Sequence, residues 1–145
     1  MNGCLQLCSP QDLYENACSI MTCRFADDPT EYFVVGTAYA MPDDPEPVKG
    51  RILVFSVQSE GSKLVLTAET EVKGACYTLN AFNNGKLLAG INSKITLYRW
   101  KVAEDGTKEL EPEAGHHGHI LALYVQSRGD FIVVGDLMKS ISLLV

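Results

Sequence analysis

The stretch NGKLLAGINSKITLYRW, residues 84–100, decides the fold class of this chain. It contains an apolar run that ends in Gly90, a short polar turn, and a second apolar run. Leu, Ile, Tyr and Thr are the residue types that favour a pleated, half-buried surface. An apolar strand that ends at a turn and is followed by a second apolar strand predicts a β-hairpin.

Two further copies of this unit lie on either side of it, at 32–36 (YFVVG) and 131–135 (FIVVG). In each copy a second apolar strand follows after a turn, at 52–57, 95–100 and 141–145. The glycines that end the three copies are 54 and 45 residues apart, and the longer interval contains the Pro- and Asp-rich loop 41–49. A repeat of roughly 40–50 residues that carries four strands is typical of one propeller blade.

The remaining sequence continues the same pattern of short β-type runs between turns. The runs are 17–25, 32–40, 50–58, 63–73, 75–82, 86–91, 93–102, a weak run at 107–112, 119–126, 130–135 and 139–145. Asp27-Asp28-Pro29, Asn83-Asn84-Gly85 and Arg128-Gly129-Asp130 predict hairpin turns. No segment shows a sustained apolar period of 3.6 residues, so the chain is predicted to be all-β.

The repeat predicts a partial β-propeller of about three consecutive four-stranded blades, with the last one incomplete. The blades are expected at about 16–73, 75–112 and 119–145, after a poorly matched N-terminal segment at 1–15. A propeller closes with about four to eight blades, so we expect the chain to be part of a longer protein. A small β-sandwich built from the same strands is the alternative.

Composition limits the classes of function. The formal net charge is −6 and no Lys/Arg cluster occurs, which disfavours direct binding to nucleic-acid phosphates. No run approaches the ~20 apolar residues of a membrane-spanning helix, and the first residues lack the pattern of a signal peptide. The five cysteines, an odd number at irregular spacing, predict free thiols in a reducing compartment.

Four longer motifs carry a resemblance to a known family. They are GRILVF (50–55), EVKGACY (71–77), NGKLLAGINSKITLYRW (84–100) and ALYVQSRGDFIVVGDLMKS (122–140). With them, residues 32–145 resemble the large subunits of UV-damaged-DNA-binding complexes, the adaptors of cullin-RING ubiquitin ligases. The same superfamily contains large splicing and polyadenylation subunits.

The resemblance implies a non-catalytic scaffold with no cofactor. In that family three seven-bladed propellers are present, and this segment would lie in the third. The third propeller forms, with the first, a cleft that holds substrate receptors, whereas the second holds the cullin. The resemblance also implies roles in DNA repair and ubiquitination, residence in nucleus and cytoplasm, and packing against the rest of the parent propeller.

A candidate docking surface follows from the turn Asp136–Ser140, which presents Leu137 and Met138 although turns are usually polar. In a blade this turn opens on the same face as the loops that enter the innermost strands, here 73–78 and 119–124. Receptor contacts of the family map by matching motif onto Tyr77, Thr78, Leu121, Leu123, Tyr124, Leu137 and Lys139. An amphipathic receptor helix would lay its apolar face there; the alternative is that Leu121 and Leu123 pack between blades.

Other candidate sites have plainer explanations. Gly115-His116-His117-Gly118-His119 could suggest a metal site, but no supporting ligands lie at a suitable spacing, so an exposed loop between blades is predicted. Cys18 and Cys23, five residues apart on one strand, are placed on opposite faces. The acidic loop Pro42–Pro47 is expected to be solvated, and Trp100 to pack between blades.

A second hypothesis from a different class is direct nucleic-acid binding, a role often described for this superfamily. It predicts salt-sensitive binding to DNA or RNA, against which the net charge of −6 argues. An enzymatic role ranks third, since no nucleophile motif or phosphate-binding glycine loop occurs.

Overall fold

A computed structural model describes residues 13–58, 63–118, 121–138 and 141–145. In these residues eleven strands form three antiparallel sheets. The first sheet contains β1 (Glu15–Arg24), β2 (Glu31–Tyr39), β3 (Gly50–Gln58) and β4 (Lys63–Val72). The second contains β5 (Cys76–Phe82), β6 (Lys86–Ile91), β7 (Lys94–Val102) and β8 (Lys108–His117), and the third contains β9 (Ala122–Arg128), β10 (Phe131–Asp136) and β11 (Ile141–Leu144).

Each sheet is a meander whose strand order follows the chain. Consecutive sheets stack on one another through their first strands. Between β1 and β5, the Ser19 hydroxyl donates a hydrogen bond to the carbonyl oxygen of Cys76 at 2.9 Å. Between β9 and β5, the Ser127 hydroxyl donates to the carbonyl oxygen of Ala81 at 2.8 Å. This stacking of two four-stranded meanders and a three-stranded one is that of a β-propeller with an incomplete last blade, so the prediction of an all-β partial propeller is confirmed.

Two apolar cores lie between the sheets. The larger core lies between the first and second sheets, and the smaller core lies between the second and third sheets. The first core includes Trp100, whose ring stacks on Phe25 with centroids 4.4 Å apart. Phe25 follows β1 and Trp100 lies on β7, so the predicted packing of Trp100 between blades is confirmed.

The three predicted hairpin turns join β1 to β2, β5 to β6, and β9 to β10. Each contains residues in the left-handed region of backbone space, at Asp27 (φ 62°), Asn84 (φ 59°) and Gly129 (φ 58°). Asp, Asn and Gly enter this region at low steric cost, which explains why these turns could be found in the sequence.

Strand β8 differs from the expectation. The weak run at 107–112 is part of a longer strand that ends at His117, so the prediction of a loop was wrong for Gly115–His117. His116 pairs with Ile95 and His117 with Lys94, because β7 offers backbone partners along its whole length. Both histidines are exposed, and His119 lies outside the described residues. Among those residues, no helix is long and apolar enough to cross a membrane.

Candidate docking surface

The repeated glycines stand where the first strands of neighbouring sheets approach closely. A Cβ atom on Gly36 would lie 2.5 Å from the Cys76 sulfur, and one on Gly90 would lie 2.9 Å from the carbonyl oxygen of Ala122. The Cys76 and Ala122 atoms belong to the first strand of the next sheet, and the same Cβ atoms would also lie 2.4 Å from the Ser19 hydroxyl oxygen and 2.6 Å from the Thr78 methyl group of their own sheets. The sequence repeat therefore marks the contact between sheets, where only glycine leaves enough room.

A second feature repeats with the glycines and cannot be seen in the sequence. Opposite each glycine the pairing of the first strand shifts by one residue, which leaves Cys18, Tyr77 and Leu123 as bulge residues. A β-bulge bends the strand and redirects the side chain at that position, and bulges are common beside functional sites. Two predicted contacts, Tyr77 and Leu123, thus occupy the same position in successive sheets.

Backbone hydrogen bonds join the described parts of the turns and loops at one end of each sheet. The backbone N–H of Leu137 donates to the carbonyl oxygen of Leu121 at 3.2 Å, and that of Asn92 donates to Ala75 at 3.0 Å. Each bond joins the turn after the second strand of a sheet to the loop before its first strand. This places the turn 136–138 beside Leu121 and Leu123, which forms an apolar rim on the third sheet.

The side chains of that turn are open to solvent. Leu137 is 52% exposed and Met138 is 76% exposed. The Asp136 carboxylate accepts a hydrogen bond from the N–H of Met138 at 2.8 Å, which closes the turn and holds both side chains outward. Lys139 lies outside the described residues.

Two predicted residues lie on the sheet faces rather than at the rim. Thr78 is half-buried between the second and third sheets, where its methyl group packs against Gly90. Tyr124 packs over Gly135 on the face of the third sheet that points away from the second, and it is 73% exposed. The structure therefore brings the turn of Leu137 and Met138 to Leu121, two residues before Leu123, and places Tyr124 on the adjoining face.

Tyr77, on the second sheet, is partly buried and lies near the ionisable side chains of Glu46 and Cys18. Burial raises the pKa of its phenol, and electrostatic interactions with Glu46 and Cys18 raise it further. The hydroxyl group therefore stays neutral at physiological pH and is available as a hydrogen-bond donor. Glu46 belongs to the Pro- and Asp-rich loop 41–49, which we call the acidic loop 41–49, so this loop flanks the predicted surface.

Comparison with known proteins identifies the family. Residues 5–145 match the model of the CPSF A subunit region. The chain belongs to the CPSF A subunit family.

Several relatives with high sequence identity to this chain are named DNA damage-binding proteins. The chain is 65% identical to DNA damage-binding protein 1a of Arabidopsis thaliana over 135 residues, 93% of this chain and 12% of the relative. It is 66% identical to DNA damage-binding protein 1 of Oryza sativa subsp. japonica over 134 residues, 92% of this chain and 12% of that relative. DNA damage-binding protein 1 of Solanum lycopersicum is 66% identical over 137 residues, which are 94% of this chain and 12% of that relative. The resemblance found from the motifs is confirmed, and the chain spans about an eighth of the length of these relatives.

The described cysteines of this family member are poor candidates for chemistry. Burial raises the pKa of the Cys23 thiol to about 11 and that of Cys76 to about 12, and it also raises the pKa of Cys18. These thiols stay protonated at neutral pH and are weak nucleophiles. Among the described residues, no three His, Cys, Asp or Glu side chains converge on a position that could hold a metal ion.

Sequence reasoning missed three members of this surface: the bulge residue Cys18, the carboxylate of Glu46, and Asn92 in the turn between β6 and β7. Cys18, Tyr77 and Leu123 share no residue type, so their common position has no sequence signal. Asn92 carries one weak signal, since Asn in a short turn favours left-handed backbone geometry.

Proposed function

We propose that this chain is a non-catalytic protein-interaction scaffold, a segment of a ubiquitin-ligase adaptor that docks substrate receptors in DNA repair and protein ubiquitination. The proposal depends above all on the turn that exposes Leu137 and Met138 beside Leu121. Exposed apolar side chains held by a closed turn are typical of a contact surface, not of a solvated loop. The names of the relatives, DNA damage-binding protein 1, support the same role.

The proposed partner is an amphipathic helix of a receptor protein. Its apolar side would contact Leu137, Met138, Leu121 and Leu123, while a polar side chain could accept a hydrogen bond from the Tyr77 hydroxyl. Met adapts to different partners because its side chain is unbranched. A surface of this kind suits an adaptor that serves several receptors.

The test replaces Leu137 by Asp in the full chain. A charge placed in an apolar contact loses its hydration, so we expect Leu137→Asp to weaken binding of a receptor at least about tenfold. The probe is the DNA-contacting subunit of the UV-damaged-DNA-binding complex, and the measurement is isothermal titration calorimetry.

Val102→Asp is the matched control. Val102 is also 52% exposed, but it lies at the end of β7 that is remote from this surface. Equal binding of wild type and Leu137→Asp would rule out the docking surface. Equal weakening by both variants would mean that charge alone, and not this site, affects the interaction.

We further propose that the protein acts in nucleus and cytoplasm, as the family resemblance implies. The second candidate function, direct binding of nucleic acid, is favoured by the relatives' names alone. We propose that any contact with damaged DNA is made chiefly by the partner, so the chain alone is expected not to bind a DNA duplex.

A further inference from the structure

Asn92 connects three segments that lie at or beside the docking surface. It lies in the turn between β6 and β7 with φ 49°, a left-handed conformation that Asn tolerates better than most residues. Its backbone and carboxamide together make hydrogen bonds to the loop before β5, to the acidic loop 41–49 and to the start of β9.

The first link fixes the start of β5. The Asn92 side-chain oxygen accepts a hydrogen bond from the N–H of Ala75 at 2.7 Å, and the Asn92 N–H donates to the carbonyl oxygen of Ala75 at 3.0 Å. Ala75 is buried and lies two residues before Tyr77. The carboxamide therefore holds the chain two residues before the bulge at Tyr77.

The second link holds the acidic loop. The Asn92 side-chain nitrogen donates to the carbonyl oxygen of Pro47 at 2.9 Å. Pro47 follows Glu46, whose charge acts on Tyr77. Other hydrogen bonds of this loop lie near its ends: the Tyr39 N–H donates to the carbonyl oxygen of Lys49, and the Asp44 N–H donates to that of Met41.

The third link reaches the third sheet. The Asn92 carbonyl oxygen accepts a hydrogen bond from the N–H of Ala122 at 2.7 Å. Ala122 stands between Leu121 and Leu123, the two leucines of the apolar rim. The turn of the second sheet thus sets the position of the first strand of the third.

Gly74 leaves room for the Asn92 side chain. Gly74 has φ 147°, and a Cβ atom there would lie 2.5 Å from the side-chain carbon and nitrogen of Asn92. The carboxamide therefore packs directly on the Gly74 backbone, which leaves it a single placement between the two loops.

We propose that Asn92 is the positioning residue of the docking surface: it orders the acidic loop and the start of β5 so that receptor binding costs little conformational entropy. This inference rests on the proposed function. Surfaces that are ordered before binding retain more of their contact energy as affinity. Asn92 itself need not touch the receptor.

The experiment uses two variants of the full chain. Asn92→Gly permits the left-handed backbone without steric cost and removes both side-chain hydrogen bonds. Asn92→Asp keeps the acceptor for Ala75, but it places a carboxylate oxygen against the Pro47 carbonyl. Ser127→Ala is the control, since it also removes side-chain hydrogen bonds between two sheets, to Asn80 and Ala81, away from this surface.

Two quantities are measured: the affinity for the DNA-contacting subunit of the UV-damaged-DNA-binding complex, and amide hydrogen exchange by mass spectrometry. We expect Asn92→Gly to weaken binding about tenfold, a loss in keeping with two hydrogen bonds and a less ordered site. Exchange should rise in 41–49 and in 73–78. Asn92→Asp should raise exchange in 41–49 alone, and Ser127→Ala should change neither segment.

The outcomes separate the two proposals. If Leu137→Asp abolishes binding while Asn92→Gly binds as wild type does, Asn92 has no positioning role and the proposed function stands. If wild type itself does not bind, the proposed function fails, and unchanged exchange in both segments of Asn92→Gly would overturn the positioning role as well. If Ser127→Ala weakens binding as much as Asn92→Gly, the effect belongs to general stability and the inference is wrong.

Discussion

At the scale of single residues, Asp28 shows how one buried charge can join two sheets. Its carboxylate accepts hydrogen bonds from the Tyr32 hydroxyl at 2.7 Å, the Trp100 indole at 3.1 Å, the Lys108 ammonium at 3.0 Å and the Thr30 backbone at 3.0 Å. Tyr32 belongs to the first sheet, whereas Trp100 and Lys108 belong to the second. Asp28 was expected only to form a turn, because its partners at positions 100 and 108 are distant in sequence.

We expect Asp28→Asn to lower the free energy of unfolding by about 2 kcal/mol, the scale of a hydrogen bond to a charged group. The amide keeps the size of the side chain, but its nitrogen would face donors and the charge opposite Lys108 would be lost. Urea denaturation followed by tryptophan fluorescence measures the effect. Asp27→Asn, an exposed neighbour with the same loss of charge, is the control. A loss of unfolding free energy no larger than that of Asp27→Asn would contradict the role of Asp28 in joining the two sheets.

Asp28 also predicts a dependence of stability on pH. Burial by itself would raise the pKa of Asp28, but the hydrogen bonds from Tyr32, Thr30 and Lys108 outweigh it and hold the pKa well below its usual range. A carboxyl whose pKa is depressed by folding stabilises the native state above its unfolded pKa of about 4. That contribution is lost as the pH falls below this value. The unfolding free energy of wild type should therefore decline more steeply below about pH 4 than that of Asp28→Asn, and parallel curves would refute this.

At the scale of strands and sheets, the repeated glycines make a prediction with an internal control. A Cβ on Gly90 would lie 2.6 Å from the Thr78 methyl group of its own sheet and 2.9 Å from the backbone oxygen of Ala122 in the next sheet, whereas on Gly135 the nearest atom is the Tyr124 Cβ at 3.3 Å. A backbone atom between two packed sheets cannot yield cheaply. Gly90→Ala should thus cost about 2 kcal/mol of stability and Gly135→Ala less than about 1. Thermal denaturation followed by circular dichroism tests this, and equal losses would show that the glycines do not mark the contact between sheets.

The same elements show what the sequence could and could not predict. Strand positions followed from local composition and turns, since Asp27, Asn84 and Gly129 mark their own geometry. The bulges at Tyr77 and Leu123 could not be predicted, because they arise from the pairing of strands and not from a residue type. The extension of β8 to His117 was missed for a similar reason: β7 provides the pairing, and Gly-His-His carries no strand preference.

At the scale of the whole molecule, several cations of the described second sheet occur as pairs with glutamates. Three cations of the second sheet lie beside glutamates of β8, with Lys86 2.7 Å from Glu113, Arg99 2.5 Å from Glu111 and Lys101 3.4 Å from Glu109. Exposed pairs of this kind contribute little to stability. They do reduce the positive potential that a phosphate backbone would meet, and the formal net charge of the chain is −6.

This distribution separates the proposed docking role from direct binding of nucleic acid. A protein that neutralises six or more phosphates loses roughly a thousandfold or more in affinity between 50 and 200 mM salt. We expect this chain to show no saturable binding to a labelled DNA duplex at either salt concentration, intact or UV-irradiated, in fluorescence anisotropy. Adding the DNA-contacting subunit should produce binding. Binding by the chain alone that weakens steeply with salt would instead assign the nucleic-acid contact to this segment, and the acidic loop 41–49 would then need another explanation.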